Sequence, residues 1–118
     1  MSGILRSFTL LLALAASLFA ADLNGKWTGI LKSGNGDIDT TMVLKVSGEK
    51  LTGTVTNMYG EEEITEGTVK GDDLSFIILA GGGQFKLVYK GKVEADQIRF
   101  NVTVGDFGDF ELIAKRAQ

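Results

Sequence analysis

Two stretches carry residues whose types and spacing could do chemistry. Glu61-Glu62-Glu63, with Glu66 close behind, offers carboxylates for a general acid and base of the kind a glycosidase uses. Asn35-Gly36-Asp37-Ile38-Asp39 sets side-chain oxygens at alternate positions, as the start of a calcium loop does. Neither pattern is completed. An EF-hand loop continues with glycine, where Thr40 stands, and closes on glutamate, where Val46 stands. The acids of 61–66 read as a solvated loop, and 33–37 as a loop entering a strand. With no histidine and no cysteine, Ser-His-Asp and Cys-His nucleophile schemes are closed to the chain, as are zinc sites built from those ligands. Gly81-Gly82-Gly83 is followed by no Lys-Ser/Thr pair, which a phosphate loop requires. Asp106-Phe107-Gly108 spells a kinase tripeptide without its companion motifs. These residues predict a protein that is not an enzyme and needs no cofactor or metal.

What remains is binding, and the elements that would position a binding site are strands. Apolar residues recur with period two rather than 3.6. Trp27, Gly29 and Leu31 share one face; so do Ile38, Thr40, Met42, Leu44 and Val46, and then Leu51, Gly53, Val55 and Asn57. A weaker strand covers 64–69, where Ile64 and Val69 are out of step unless a bulge near Gly67 restores the phase. Leu74, Phe76, Ile78 and Ala80 follow, then Phe85, Leu87, Tyr89 and Val93. Ile98, Phe100, Val102 and Val104 come next, and Phe110, Leu112, Ala114 and Arg116 close the series. The intervening positions are mostly Thr, Lys or Arg. Eight strands joined by short links pair antiparallel in sequence. The expected fold is all-β, an eight-stranded antiparallel up-and-down barrel, since closure removes the sheet edges and no link is long enough for a Greek-key crossover.

A repeat supports the meander. Val46-Ser-Gly-Glu-Lys-Leu51 recurs as Val69-Lys-Gly-Asp-Asp-Leu74 and as Val93-Glu-Ala-Asp-Gln-Ile98. Each copy is one hairpin with a tight polar turn, and all three turns fall at one end of the barrel. Trp27 and Arg116 fall at that end too. The other end collects the segments 33–37, 58–62, 80–84 and 105–108, rich in glycine and acids. Barrel mouths are preferred ligand sites, so a ligand entering there would meet Asn57, Tyr59, Tyr89 and Phe107. The interior can instead be filled by its own side chains; Gly53 argues for some room. On the outer face Ile77, Leu79 and Val88 form an apolar patch suited to a protein partner or a weak homodimer.

Residues 1–20 differ from the rest. Arg6 precedes an apolar run from Phe8 to Phe19, followed by Ala20-Ala21, the layout of a secretory signal peptide. The run is about 12 residues, short of the roughly 20 that span a bilayer. Cleavage after Ala20 leaves a single domain over 21–118, secreted or periplasmic, not held in a membrane. Lacking cysteine, it has no lipoprotein anchor and must fold without disulfides. The whole chain carries a formal charge of −3, which gives no basic patch for nucleic acid.

Gly25-Lys26-Trp27 resembles the Gly-x-Trp opening of the calycin superfamily, which includes lipocalins, fatty-acid-binding proteins and avidins. The resemblance implies that Trp27 closes the barrel base against Arg116 of the last strand. Residues 24–116 are also similar to small secreted bacterial β-barrel domains of unassigned function, through the Gly-x-Trp-x-Gly start and the Val-x-Gly-Asp-x-Leu hairpins. The chain is short for a lipocalin, lacks cystines and shows no avidin-type biotin set, so no ligand identity is implied. The expected function is a secreted, non-enzymatic β-barrel module, lipocalin-like, binding a small apolar or amphipathic ligand at the glycine-rich end. The alternative is a structural or protein-interaction domain with a filled core.

Overall fold

The computed structural model describes residues 23–34 and 36–117; the leader read over 1–20 lies outside them. Nine strand segments follow in order: β1 Gly25–Ser33, β2 Gly36–Ser47, β3 Lys50–Asn57, β4 Gly60–Glu63, β5 Thr65–Lys70, β6 Asp73–Ala80, β7 Phe85–Glu94, β8 Gln97–Val104 and β9 Asp109–Arg116. A 3-10 turn at Gly81–Gly83 links β6 to β7. β3 pairs with both β4 and β5, which are two halves of one stave interrupted at Ile64. β1 pairs with β2 on one side and β9 on the other. The sheet is therefore a closed eight-stranded antiparallel barrel, the fold that period-two alternation and short links predict.

The staves are steeply tilted. The paired inward residues Leu31, Leu112, Phe100, Gly91, Leu74 and Val69 form one continuous row. It starts near the β1–β2 turn and ends beside Glu49, whose carbonyl accepts from the Val69 N–H at the opposite end of the barrel. Tilt of this kind is what lets eight strands close around side chains. In the middle of the interior the Phe76 and Tyr89 rings stack at 4.6 Å, and both meet Phe100 edge-on at 5.8 and 5.7 Å. Around them Met42, Leu44, Leu51, Ile98, Val102 and Leu112 are fully buried.

Three features differ from the sequence reading. The segments 33–37 and 58–62 are not open loops: Ser33 pairs with Gly36, and Asn57 pairs with Gly60. The glutamates are strand residues because Glu61 and Glu63 lie opposite Thr56 and Thr54 on the outer face, and the Thr56 hydroxyl donates to Glu61 at 3.3 Å. The third concerns Gly53, which leaves no room. A Cβ there would lie 1.8 Å from the Val43 carbonyl oxygen, so the glycine marks a close approach of β3 to β2. The bulge does fall where the phase demands, between Thr65 and Thr68, with Glu66 at φ 50° and Gly67 against the Leu51 backbone.

The repeated hairpins have two-residue turns in which the first residue alone has positive φ: Gly48 at 62°, Gly71 at 61° and Ala95 at 56°. A positive φ confined to the first central position is the type II′ pattern, which favours glycine there. The third copy carries alanine instead. Ala95→Gly is therefore expected to stabilise the barrel by about 1 kcal/mol. Gly53→Ala, by contrast, combines φ 139° with backbone overlap and is expected to cost about 3 kcal/mol or more. Urea midpoints of the two variants beside the parent check both signs.

Candidate functional site

The two ends of the barrel are built differently. At the end holding the repeated turns, Trp27 is buried beneath Leu23, and its indole N–H donates to the Leu23 carbonyl at 3.0 Å. The Arg116 guanidinium lies 4.5 Å above the Trp27 ring and donates to the Asn24 carbonyl at 2.9 Å. Register brings the two residues together, since Trp27 is the direct partner of Arg116 across β1 and β9. Asn24 in turn accepts from the Val46 N–H at 2.7 Å. A cation over an indole adds attraction to what is already a plug of packed side chains. Leu51, Val69, Leu74 and Ile98 are buried behind it, while Val46 and Val93 keep partial exposure.

The opposite end is open. Its inward-facing residues Ile38, Asn57, Glu62, Ala80, Leu87, Val104 and Phe110 are all partly exposed, because no described element lies across the mouth to cover them. Glu62 belongs to this set by register. It pairs with the buried Val55, and directly opposed residues of an antiparallel pair share a face. Glu62 is also less exposed than Glu61 and Glu63, which flank it. Composition alone puts Glu62 among solvated loop acids. The available signal was Asn57-Met58-Tyr59-Gly60, with Asn first and Gly fourth, a turn signature that shortens the connection to two residues and sets the alternation of 61–63.

The four residues predicted to meet a ligand separate into two pairs. Asn57 and Tyr89 face inward. Asn57 sits at the rim, where its side-chain carbonyl accepts from the Tyr59 N–H at 2.8 Å. Tyr89 lies deep, only 1% exposed. Tyr59 and Phe107 instead crown the rim, 78% and 72% exposed; Phe107 leans toward Phe85 at 6.4 Å between centroids. Met58 is exposed on the β3–β4 turn. On the outer wall Ile77 and Val88 are direct cross-strand partners, half-buried by their neighbours, with Leu79 exposed beyond them.

Tyr89 carries the unusual chemistry. Among the described residues every side-chain nitrogen or oxygen sealed from solvent has a hydrogen-bond partner. The Tyr89 hydroxyl bonds to no described residue. Elsewhere the inner wall is apolar apart from Thr40, whose hydroxyl donates to the Ile38 carbonyl at 3.3 Å, and the rim residues. No lysine or arginine among the described residues faces the interior except Arg116 at the plugged end.

Comparison with known proteins adds a fold relation. No family model matches the chain, and no curated protein matches it. Among solved structures the chain is similar to one named "REP1-NXSQ fatty acid transporter", with a TM-score of 0.54 and 17% identity, covering 84% of this chain and 98% of that one. At that identity the likeness shows a shared barrel fold.

Burial pushes the Tyr89 phenol up from 10.0 to about 12. Between those values the unfolded chain has lost the tyrosine proton and the folded chain keeps it, so stability falls as pH rises. Of order 2–3 kcal/mol should be lost between pH 10 and 12. Tyr89→Phe should lack that part of the decline, as read from denaturant midpoints of both proteins across the same pH range.

Proposed function

We propose that the barrel binds one small amphipathic molecule, taken end-on through the open mouth, and that it performs no chemistry on it. The observation that carries this reading is the Tyr89 hydroxyl, set in an otherwise apolar interior and bonded to no described residue. A buried hydroxyl without a hydrogen bond costs about 1–3 kcal/mol, and a sequence that only had to pack would place phenylalanine there. The exposed apolar rim of Met58, Tyr59, Phe85 and Phe107 supports it, as a collar that an apolar chain would cross. The printed name of the similar structure, a fatty acid transporter, is in keeping with a lipid-like ligand. Asn57 supplies a polar contact at the mouth, and Trp27 with Arg116 keeps the base closed.

We further propose that the protein is exported, with residues 1–20 removed. The leader pattern and a fold that needs no cysteine support this. A second reading, a module acting through protein contact or weak self-association, is favoured by the paired Ile77 and Val88 with Leu79 beside them.

The test is a thermal melt of the purified protein with decanol as probe. A ligand of the native state at 100 times its Kd adds about 2.7 kcal/mol, a readily measured rise. Tyr89→Phe should melt at or above the parent without decanol, because the ring stacks survive and the unpartnered hydroxyl is gone. Its decanol-induced rise should be smaller than the parent's. A cooperative melt that decanol leaves unmoved in both proteins would favour the protein-contact reading.

A further inference from the structure

We infer that the ligand's polar end is neutral or cationic, and that the barrel discriminates against carboxylates. This rests on the reading of the barrel as an amphiphile binder and names the class of ligand it takes. An amphiphile entering the mouth leaves its head group in one of two places, beside Tyr89 in the interior or at the rim.

The interior offers no positive charge. Among the described residues the inward cation is Arg116, and it is engaged at the far end with Trp27 and the Asn24 carbonyl. A carboxylate carried inward would meet a single phenol donor and hydrocarbon, far less than an anion needs to leave water. A hydroxyl loses much less and can bond the free phenol.

The rim is worse for an anion. Glu62 points into the mouth from β4, paired with Val55, and none of its contacts among the described residues is an ion pair. Glu61 and Glu63 flank it on the outer wall, and Asp106 and Asp109 stand at the β8–β9 connection. Lys32 at the same end is already paired with Asp37 at 3.2 Å, and Lys86, also at that end, stands on the outer wall opposite Leu79. An acidic rim alone would be a solvated surface. What makes it a filter is the pairing of an inward carboxylate with the hydroxyl of the buried Tyr89, which bonds to no described residue, in one interior. An ammonium or hydroxyl head can donate to Glu62 while its chain occupies the interior; a carboxylate must sit against like charge.

Three probes with the same ten-carbon chain test this: decanoate, decanol and decylammonium, each titrated at pH 8 below its aggregation concentration, with Kd read by calorimetry. The expected order is decylammonium tightest, decanol next and decanoate at least ~10-fold weaker than decylammonium. Glu62→Gln should narrow the gap, weakening decylammonium and strengthening decanoate. Glu61→Gln, which removes the same charge from the outer wall, should change the ratio much less, separating a contact in the mouth from general attraction to an acidic protein. Decanoate binding as tightly as decylammonium would overturn the inference and leave the amphiphile reading standing. Equal shifts in Glu61→Gln and Glu62→Gln would also overturn it. Binding of none of the three would overturn both.

Discussion

The pairing of β1 with both β2 and β9 is the contact on which the rest of this molecule depends. It turns a row of hairpins into a ring, so that among the described strands every one but the short β4, which pairs only with β3, has a partner on both sides. Closure also fixes the interior. With eight staves and a steep tilt there is space for side chains or for one small ligand, so inward positions are held to particular sizes. Gly29, Gly67 and Gly91 show the constraint directly: a methyl at any of them would lie within 2.6 Å of a neighbouring carbonyl or ring atom. The aromatic cluster of Phe76, Tyr89 and Phe100 fills the middle, and it fits partly because Gly91 makes way for the Phe100 ring.

Within that ring the two ends divide the work. One is plugged by Leu23, Trp27 and Arg116, held through backbone carbonyls as well as ring contacts. The other has inward residues open to solvent and apolar tips around them. Stability is concentrated in the lower and middle layers, where burial is complete. The mouth can therefore carry residues that contribute little to folding, Glu62 among them, and Tyr89 is where the two regimes meet. Its ring belongs to the packed core, and its hydroxyl bonds to no described residue.

Much of this was legible in the sequence, for a physical reason. Strand faces follow from alternation alone, and with short polar turns between them the neighbours must be antiparallel. Thus the inward sets from Trp27 through Arg116 could be read one by one. Turn geometry was less visible. The glutamate run looked like a loop because composition favours solvent, yet opposite the threonines of β3 it makes a serviceable outer face. That misplacement hid the inward phase of Glu62. Gly53 was ambiguous for a related reason: a missing side chain signals either space or another backbone in that space, and only the β2–β3 register distinguishes them. Tyr59 and Phe107 lie on turns, and which way a tip residue points depends on turn geometry that alternation does not encode.

The plugged end has one more property. The Ala117 N–H donates to the Lys26 carbonyl at 2.9 Å, so the chain enters and leaves the ring at adjacent points on the same side. A short linker could join them and new ends could be cut at the Met58-Tyr59 turn, giving a permuted protein with the same ring of hydrogen bonds. For the same reason a tether, a surface attachment or a second domain added at either end would hang below the sealed base, and the rim would face away from it.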